Sequence, residues 1–222
     1  MRVFLILFPM IYVCCFGQRD AKNAQLLYDQ ANYAKAKECY LQLHKSEPLN
    51  ALYIERLGDL CSRDARWEQA LGYYEKWIGI NPESANAHYK YGGALSMKAS
   101  ASNKLVALAS VSKIRSCFEK AIVLDPRHVE ARWALVEYYL QVPGIFGGSE
   151  SKAKKYADEL FRLSPVDHYL AKGRIEEYFG RLNNAREQYI QAHKIGNSKV
   201  TLKKLNAVRL KIRQRDQALK GD

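Results

Sequence analysis

Proline residues recur along the chain at a spacing that sets a repeat length. Pro48 and Pro82 lie 34 residues apart, and Pro126 closes a further, longer segment. The residue before a proline avoids the helical region, so each proline is expected to end a helix. The spacing therefore predicts a series of similar helical units along the 222 residues.

The clearest unit, between Pro48 and Pro82, contains two apolar stripes with helical spacing. Each stripe keeps the three- and four-residue intervals that place side chains on one face of a helix. The two stripes are Ile54, Leu57, Gly58 and Cys61, then Trp67, Ala70, Tyr74 and Trp77. The small residues Gly58 and Ala70 are expected where the two helices cross. A single pair of helices leaves apolar surface exposed, so neighbouring pairs must stack.

This pattern resembles the tetratricopeptide repeat, a helix–turn–helix unit of 34 residues. Five copies keep the same phase over roughly residues 20–197. The resemblance implies an all-α fold, a right-handed α-solenoid of about five repeats with a C-terminal capping helix. The expected repeats are 18–50, 51–84, 85–128, 129–165 and 166–197, and the expected capping helix is 198–222.

Two repeats are longer than the others, and the chain ends in a further amphipathic segment. The third repeat carries about ten extra residues, and its second helix is expected to begin early, after Ser102 or Asn103. The fourth repeat has its surplus between its two helices, near Pro143 to Gly148. The last segment places apolar residues on the predicted capping helix: Leu202, Leu205, Val208 and Ile212.

The glycine-rich stretch of the fourth repeat, residues 143–149, has two interpretations. Glycines before a helix can bind an anion through backbone N–H groups. This stretch, however, lacks the basic residue and the spacing of a nucleotide-binding loop. The favoured interpretation is a structural turn, in which Pro143 ends one helix and Ser149 or Ser151 caps the next.

The sequence lacks the common signatures of enzymes and of metal sites. The sequence contains no Gly-x-Ser-x-Gly, His-Glu-x-x-His, Gly-Lys-Ser/Thr phosphate loop or Gly-x-Gly-x-x-Gly pattern. No pair of cysteines or histidines outside the first residues has the spacing of metal ligands. We therefore predict a non-catalytic chain that needs no metal and no cofactor.

The first residues of the chain suit an export signal. Val3–Phe16 is an uncharged apolar run behind Met1 and Arg2, too short to span a membrane comfortably. Cleavage after Gly17 would make residues 1–17 a signal peptide and Gln18 the new N-terminus. The prediction is an exported protein, periplasmic or secreted. Two alternatives stay open: an uncleaved membrane anchor, and lipid attachment at Cys14 or Cys15.

Three cysteines follow the predicted signal, so they cannot all pair within one chain. They are Cys39, Cys61 and Cys117. Cys61 occupies an apolar stripe, where a free thiol packs as a small apolar side chain. We predict that it is free.

Positive charge is concentrated at the C-terminus. The chain has a formal net charge of +12, and residues 198–222 hold eight basic and two acidic residues. A basic helix can bind nucleic acid, anionic lipid or an acidic protein. Export argues against nucleic acid, which leaves a membrane surface or an acidic partner, beside the simpler interpretation of a solvated helix face.

The first helix of each repeat lines a concave groove in tetratricopeptide proteins. Carried onto this sequence, the resemblance places five residues there: Glu55, Asp59, Tyr89, Trp133 and Glu137. The carboxylates of Glu55 and Glu137 would repel a peptide carboxylate, and aromatic faces accept cationic and apolar side chains. The predicted partner is therefore an extended protein or peptide segment with basic and apolar residues.

Taken together, these features predict a protein–protein interaction or assembly module of the cell envelope. A membrane-surface factor that acts through its basic C-terminal helix is the first alternative. An unrecognised enzyme or small-ligand carrier is the second.

Overall fold

The computed structural model describes the backbone of residues 8–221 and the side chains of residues 19–103 and 107–219. Across this part of the chain there are eleven α-helices, two short 3₁₀ turns and no strand. The helices are α1 Phe8–Asp29, α2 Tyr33–Ser46, α3 Ala51–Arg63, α4 Trp67–Ile80, α5 Ala85–Ser100, α6 Lys104–Leu124, α7 Val129–Gln141, α8 Glu150–Glu159, α9 Pro165–Tyr178, α10 Leu182–Gly196 and α11 Lys199–Gly221. The 3₁₀ turns are Gly144–Phe146 and Leu160–Arg162.

The helices form two compact units. Unit 1 is Met1–Ala101 and contains α1 to α5, and unit 2 is Ser102–Asp222 and contains α6 to α11. Within each unit, every helix packs on the next one along the chain. This sequential packing of neighbours confirms the predicted all-α repeat fold. The boundary falls inside the predicted third repeat, so α5 belongs to unit 1 and α6 to unit 2.

The predicted apolar stripes of the second repeat form its interior. Ile54, Leu57 and Cys61 on α3 are buried, as are Tyr74 and Trp77 on α4. The faces of α3 and α4 that the three- and four-residue spacing predicts therefore pack against each other.

In two helix pairs, a tyrosine ring lies directly against a glycine. A Cβ atom added to Gly58 would lie 2.5 Å from Cε1 of Tyr74, and one added to Gly173 would overlap the ring of Tyr189 in the same way. Both pairs are separated by 16 residues in the sequence. The glycine is thus required for close approach of the ring to the helix backbone. In the fourth repeat the sizes are reversed. The first helix, α7, carries the larger residue Val136, and the second helix, α8, carries the smaller residue Ala157. Both residues are fully buried.

The turns between paired helices share one backbone conformation. Ala31, Ala65 and Gly180 occupy the same place between α1 and α2, α3 and α4, and α9 and α10, with φ of 58°, 55° and 73°. This left-handed conformation favours glycine and costs an alanine about 1 kcal/mol. The helix pairs around these turns therefore hold the two alanines in a conformation that they do not prefer.

Side-chain caps begin the helices that open a repeat. Asn50, Ser84, His128 and Ser164 accept a hydrogen bond from a backbone N–H in the first turn of α3, α5, α7 and α9. The expectation that each proline ends a helix is wrong for Pro165, which is the first residue of α9. Proline is tolerated there, since the first N–H groups of a helix have no partner within it.

The glycine-rich stretch of the fourth repeat is a structural turn, as predicted. Gly147 has a φ of 104°, and a Cβ atom at Gly148 would overlap the carbonyl oxygen of Val142. The Ser149 hydroxyl accepts a hydrogen bond from the N–H of Lys152 and caps α8. The third repeat also follows its prediction, since α6 begins at Lys104, directly after Ser102 and Asn103.

The capping segment forms α11, but its buried stripe differs from the prediction at one residue. Leu205 and Val208 are buried against Tyr189 and Ala185, and Ile212 packs at the edge of this cluster. Leu202 is 42% exposed, while Thr201 is 1% exposed. Thr201 lies one turn before Leu205, and its hydroxyl bonds to His193 and Ser198, which satisfies its polar group in the interior.

The three cysteines beyond the N-terminal region are free, with Cys61 and Cys117 buried, which confirms the prediction for Cys61. The predicted signal peptide lies partly outside the described residues, which begin at Phe8. The predicted cleavage point after Gly17 falls within α1. Of the helices between residues 8 and 221, none combines the length and apolar character needed to cross a membrane.

We expect Gly58→Ala to lower the free energy of unfolding by about 1–3 kcal/mol, because the added methyl group meets the Tyr74 ring. Gly72→Ala on α4 is the matched control, since its Cβ would enter open space. That control should raise stability by about 0.5–1 kcal/mol through helix propensity. Urea titration of each variant measures the change, and equal shifts in the two would contradict the close approach.

Candidate peptide-binding surface

The five predicted site residues fall on three helices in two units. Glu55 and Asp59 lie on α3 and Tyr89 lies on α5, all in unit 1. Trp133 and Glu137 lie on α7 in unit 2. In each unit the carboxylates contact a cation from the next helix that opens a repeat.

In unit 1, the carboxylates of Glu55 and Asp59 hold one ammonium group between them. Lys90 Nζ on α5 lies 2.6 Å from Glu55 Oε1 and 2.7 Å from Asp59 Oδ2. The same ammonium lies 5.8 Å from the centre of the Trp77 ring. Glu55 and Asp59 therefore share one helix face, as predicted, and their site already binds a cation.

A second cation approaches the same carboxylates from α3 itself. Arg56 Nη1 lies 3.5 Å from Glu55 and 3.6 Å from Asp59, and its guanidinium lies 4.9 Å from the centre of the Tyr28 ring. Its Nε donates a hydrogen bond to Gln25 Oε1 at 3.1 Å. Two carboxylates and two cations give this cluster no formal net charge.

The hydroxyls of two tyrosines, the buried Tyr74 and the partly buried Tyr28, reach the same carboxylate. The hydroxyl of Tyr74 donates a 2.8 Å hydrogen bond to Asp59 Oδ1. The hydroxyl of Tyr28 lies 3.5 Å from Asp59 Oδ2. Burial, and then the nearby Asp59 charge, raise the pKa of Tyr28 to about 12. Both hydroxyls therefore stay protonated donors at neutral pH.

In unit 2, both predicted residues of α7 bind side chains of α9. Arg174 donates two hydrogen bonds to the Glu137 carboxylate, at 2.7 Å and 3.0 Å. Trp133 Nε1 donates a 2.8 Å hydrogen bond to Asp167 Oδ1. Although partial burial opposes the charge, the bonds to Glu137 raise the pKa of Arg174. This bidentate pair is the strong form of an arginine–carboxylate contact.

The end of α9 carries a further carboxylate with both an interior and a surface partner. Glu177 accepts a 2.7 Å hydrogen bond from the buried Tyr189 hydroxyl and a 2.7 Å bond from Lys211 on α11. Burial alone would raise its pKa, but these two bonds and the Lys211 charge hold the pKa of Glu177 below its usual value.

Sequence reasoning found the carboxylates of this surface but missed the cations that bind them. Lys90 follows Glu55 by 35 residues, and Arg174 follows Glu137 by 37 residues. These separations are close to the 34-residue repeat, so the periodicity could have indicated a contact between adjacent repeats. The surface carries mixed charge, where the sequence suggested an acidic one. In the described residues, no group of three His, Cys, Asp or Glu side chains could hold a metal ion.

One protein family and several solved structures are similar to this chain. Residues 22–85 match the family model of a tetratricopeptide repeat. No curated protein sequence matches the chain. A thermophilic tetratricopeptide-repeat protein of Thermus thermophilus is 15% identical, with a TM-score of 0.73 over 87% of this chain and 99% of that one.

Two further solved structures have the same fold. YrrB, a tetratricopeptide-repeat protein with an unusual peptide-binding site, is 18% identical, with a TM-score of 0.54 over 84% of this chain and 88% of that one. The human IFIT1 dimer with PPP-AAAA is 21% identical, with a TM-score of 0.75 over 91% of this chain and 48% of that one. At these identities the structures show the fold.

Glu177 should make the stability of unit 2 depend on pH. Its depressed pKa means that its contribution is present above the unfolded pKa of a glutamate and is lost as pH falls through the folded pKa. Glu177→Gln should lower stability by about 1 kcal/mol at neutral pH, and this difference should shrink between about pH 5 and pH 3.

Urea midpoints measured across that pH range test the expectation. Glu187→Gln, at an exposed position on the neighbouring helix α10, is the matched control. A difference between parent and Glu177→Gln that stays constant with pH would show that the carboxylate charge contributes nothing.

Proposed function

We propose that this chain is a non-catalytic protein-binding module of the cell envelope, and its family match over residues 22–85 and its tetratricopeptide-repeat fold support this proposal. The proposed ligand is an extended peptide segment with basic and apolar side chains. Its proposed contacts lie on the first helices of the repeats: in unit 1 they are Glu55, Asp59 and Tyr89, and in unit 2 they are Trp133 and Glu137.

One observation carries this proposal. The ammonium group of Lys90 already lies between the carboxylates of Glu55 and Asp59, near the ring of Trp77. The site therefore has the geometry of a lysine-binding site, with two anionic acceptors and an aromatic face. A lysine of a peptide would find the same partners if it replaced Lys90.

The exchange of one cation for another is energetically feasible at this surface. The side chain of Lys90 is 23% exposed, so water reaches its ammonium group. Its partners Glu55 and Asp59 keep 20% and 16% of their side-chain surface exposed, so water partly screens the ion pairs that a peptide lysine would replace. The displaced lysine would regain its hydration, and the apolar side chains of the peptide would supply the net binding energy.

The same arrangement recurs in unit 2 with a guanidinium. Arg174 binds Glu137 through two hydrogen bonds and lies 5.6 Å from the centre of the Tyr178 ring. Each unit thus pairs a carboxylate with an aromatic ring around one cation of its own chain. The unusual peptide-binding site of YrrB supports a peptide ligand for this fold.

Competition by the internal lysine gives a sharp test. Lys90→Met should bind a peptide of alternating lysine and leucine about two- to fivefold more tightly, because the competing cation is removed. Glu55→Gln should bind the same peptide more weakly, since one acceptor loses its charge. Isothermal titration at low and at physiological salt measures both changes.

A peptide of alternating glutamate and leucine and the parent chain serve as controls. The proposal fails if both variants bind the lysine peptide as the parent does, or if the glutamate peptide binds equally well. Circular dichroism of each variant shows whether the helices remain folded.

We also propose that the chain is exported. The support is the apolar run Val3–Phe16, followed by small residues before Gln18. The intact mass of the protein purified from its native cell should correspond to a chain that begins at or near Gln18. Recovery of a chain that still carries residues 1–17 would rule out cleavage, and the envelope location would then depend on the uncleaved segment.

A further inference from the structure

One edge of unit 2 exposes apolar and aromatic side chains on two neighbouring turns. We define the turn edge as residues 143–149, between α7 and α8, and residues 178–181, between α9 and α10. Ile145 is 87% exposed and Phe146 is 43% exposed on the first turn. Tyr178 and Phe179 are 43% and 41% exposed on the second. Scattered single apolar residues are common on protein surfaces, but two adjacent pairs on successive turns indicate a contact site.

An arginine fixes the two turns at the same edge. Arg181 Nη2 donates a 2.6 Å hydrogen bond to Glu150 Oε1 at the start of α8. Its Nε donates a 2.5 Å hydrogen bond to Glu176 Oε2 near the end of α9. The guanidinium also lies 4.8 Å from the centre of the Phe179 ring. Arg181 therefore connects the second turn to the start of α8, which directly follows the first turn.

The end of α11 extends past the same edge. Ile212 is packed in the cluster that includes Leu182, the first residue of α10. The helix continues to Gly221, so its last nine residues run about 13 Å beyond that contact. This overhang includes Arg213, Arg215 and Leu219, and Leu219 is 72% exposed.

The end of α11 is rich in basic residues. The sequence from 209 to 221 contains five basic residues and one acidic residue, Asp216. Arg215 pairs with Asp216 at 3.1 Å, and Lys211 pairs with Glu177 at 2.7 Å. Arg213 adds a further cation to the overhang.

We propose that the turn edge of unit 2, together with the overhang of α11, docks on an anionic lipid surface. Exposed apolar and aromatic side chains enter the boundary between headgroups and acyl chains. Arginines beside them are attracted to anionic headgroups, at about 1 kcal/mol for each cation near the surface. The turn edge combines both groups, and it meets the surface proposed for peptide binding at Tyr178, whose ring also lies near Arg174.

Charge complementarity and the position of the apolar groups favour a lipid over an acidic protein. An acidic protein segment would need only the cations. The side chains of Ile145 and Phe146 project from a turn and stay exposed to solvent. A fluid lipid interface accepts such side chains without a preformed pocket.

Vesicle binding of the full chain tests the proposal. Sedimentation with vesicles of phosphatidylcholine containing about one third phosphatidylglycerol should recover the chain, and recovery should fall with salt. The double variant I145S/F146S should lose about tenfold in apparent affinity, as should R213Q/R215Q. Vesicles of phosphatidylcholine alone should bind the parent chain much more weakly.

Matched control variants lie at the end of α10 and the start of α11, away from the turn edge. Ile195→Ser removes an exposed isoleucine at the end of α10, and K199Q/K203Q removes two cations at the start of α11. Both should bind vesicles as the parent chain does. Thermal unfolding of every variant checks that the helices remain intact.

Hydrogen exchange shows which residues contact the vesicle, so it distinguishes binding through the turn edge from binding through the N-terminal segment. Anionic vesicles should slow exchange in residues 143–149 and 178–181, while the turn at Ala65 in unit 1 should be unaffected. Unchanged exchange at the turn edge on vesicles that do bind the chain would overturn the proposal. So would polyglutamate binding that is as tight as vesicle binding and insensitive to I145S/F146S, because it would identify an acidic partner.

Discussion

The contact of a tyrosine ring with a glycine backbone sets the geometry on which the rest of each helix pair depends. The ring of Tyr74 lies against Gly58, which fixes how closely α3 and α4 approach. Its hydroxyl then reaches Asp59, one residue along α3, and Asp59 binds Lys90 of α5. The close approach in the interior therefore orients a surface carboxylate, and that carboxylate connects one repeat to the next.

Unit 2 uses the same sequence of contacts with different residues. Tyr189 lies against Gly173 and donates to Glu177, which binds Lys211 of the capping helix. In both units a hydroxyl from the core and a cation from the neighbouring helix share one carboxylate. Such a shared acceptor is well satisfied at partial burial, because each charge has a hydrogen-bonding partner. A substitution that moves the core tyrosine would therefore also move the carboxylate and its ion pair at the surface.

The fold was largely predictable from the sequence, and the charge pairing was not. Local spacing identified the stripes of Ile54 and Tyr74, because helix periodicity depends only on residues within two turns. The partners of Glu55 and Glu137 lie a full repeat away, where several cations compete and packing decides between them. Leu202 fits the predicted capping stripe because it is apolar, but the helix phase set by Leu205 selects Thr201. A polar side chain can take an interior position when neighbours bind its hydroxyl.

The conformation of the turns between paired helices is determined by the helices on either side and not by the turn residues themselves. Ala31 and Ala65 adopt a left-handed conformation that alanine does not favour, so the helices on either side impose the turn. Where the fourth repeat replaces this turn by residues 143–149, α7 and α8 still pack on each other. The length and composition of a turn are thus separable from the packing of its helices. Each repeat has one edge at which a binding loop can be gained, enlarged or exchanged while the interior keeps its shape.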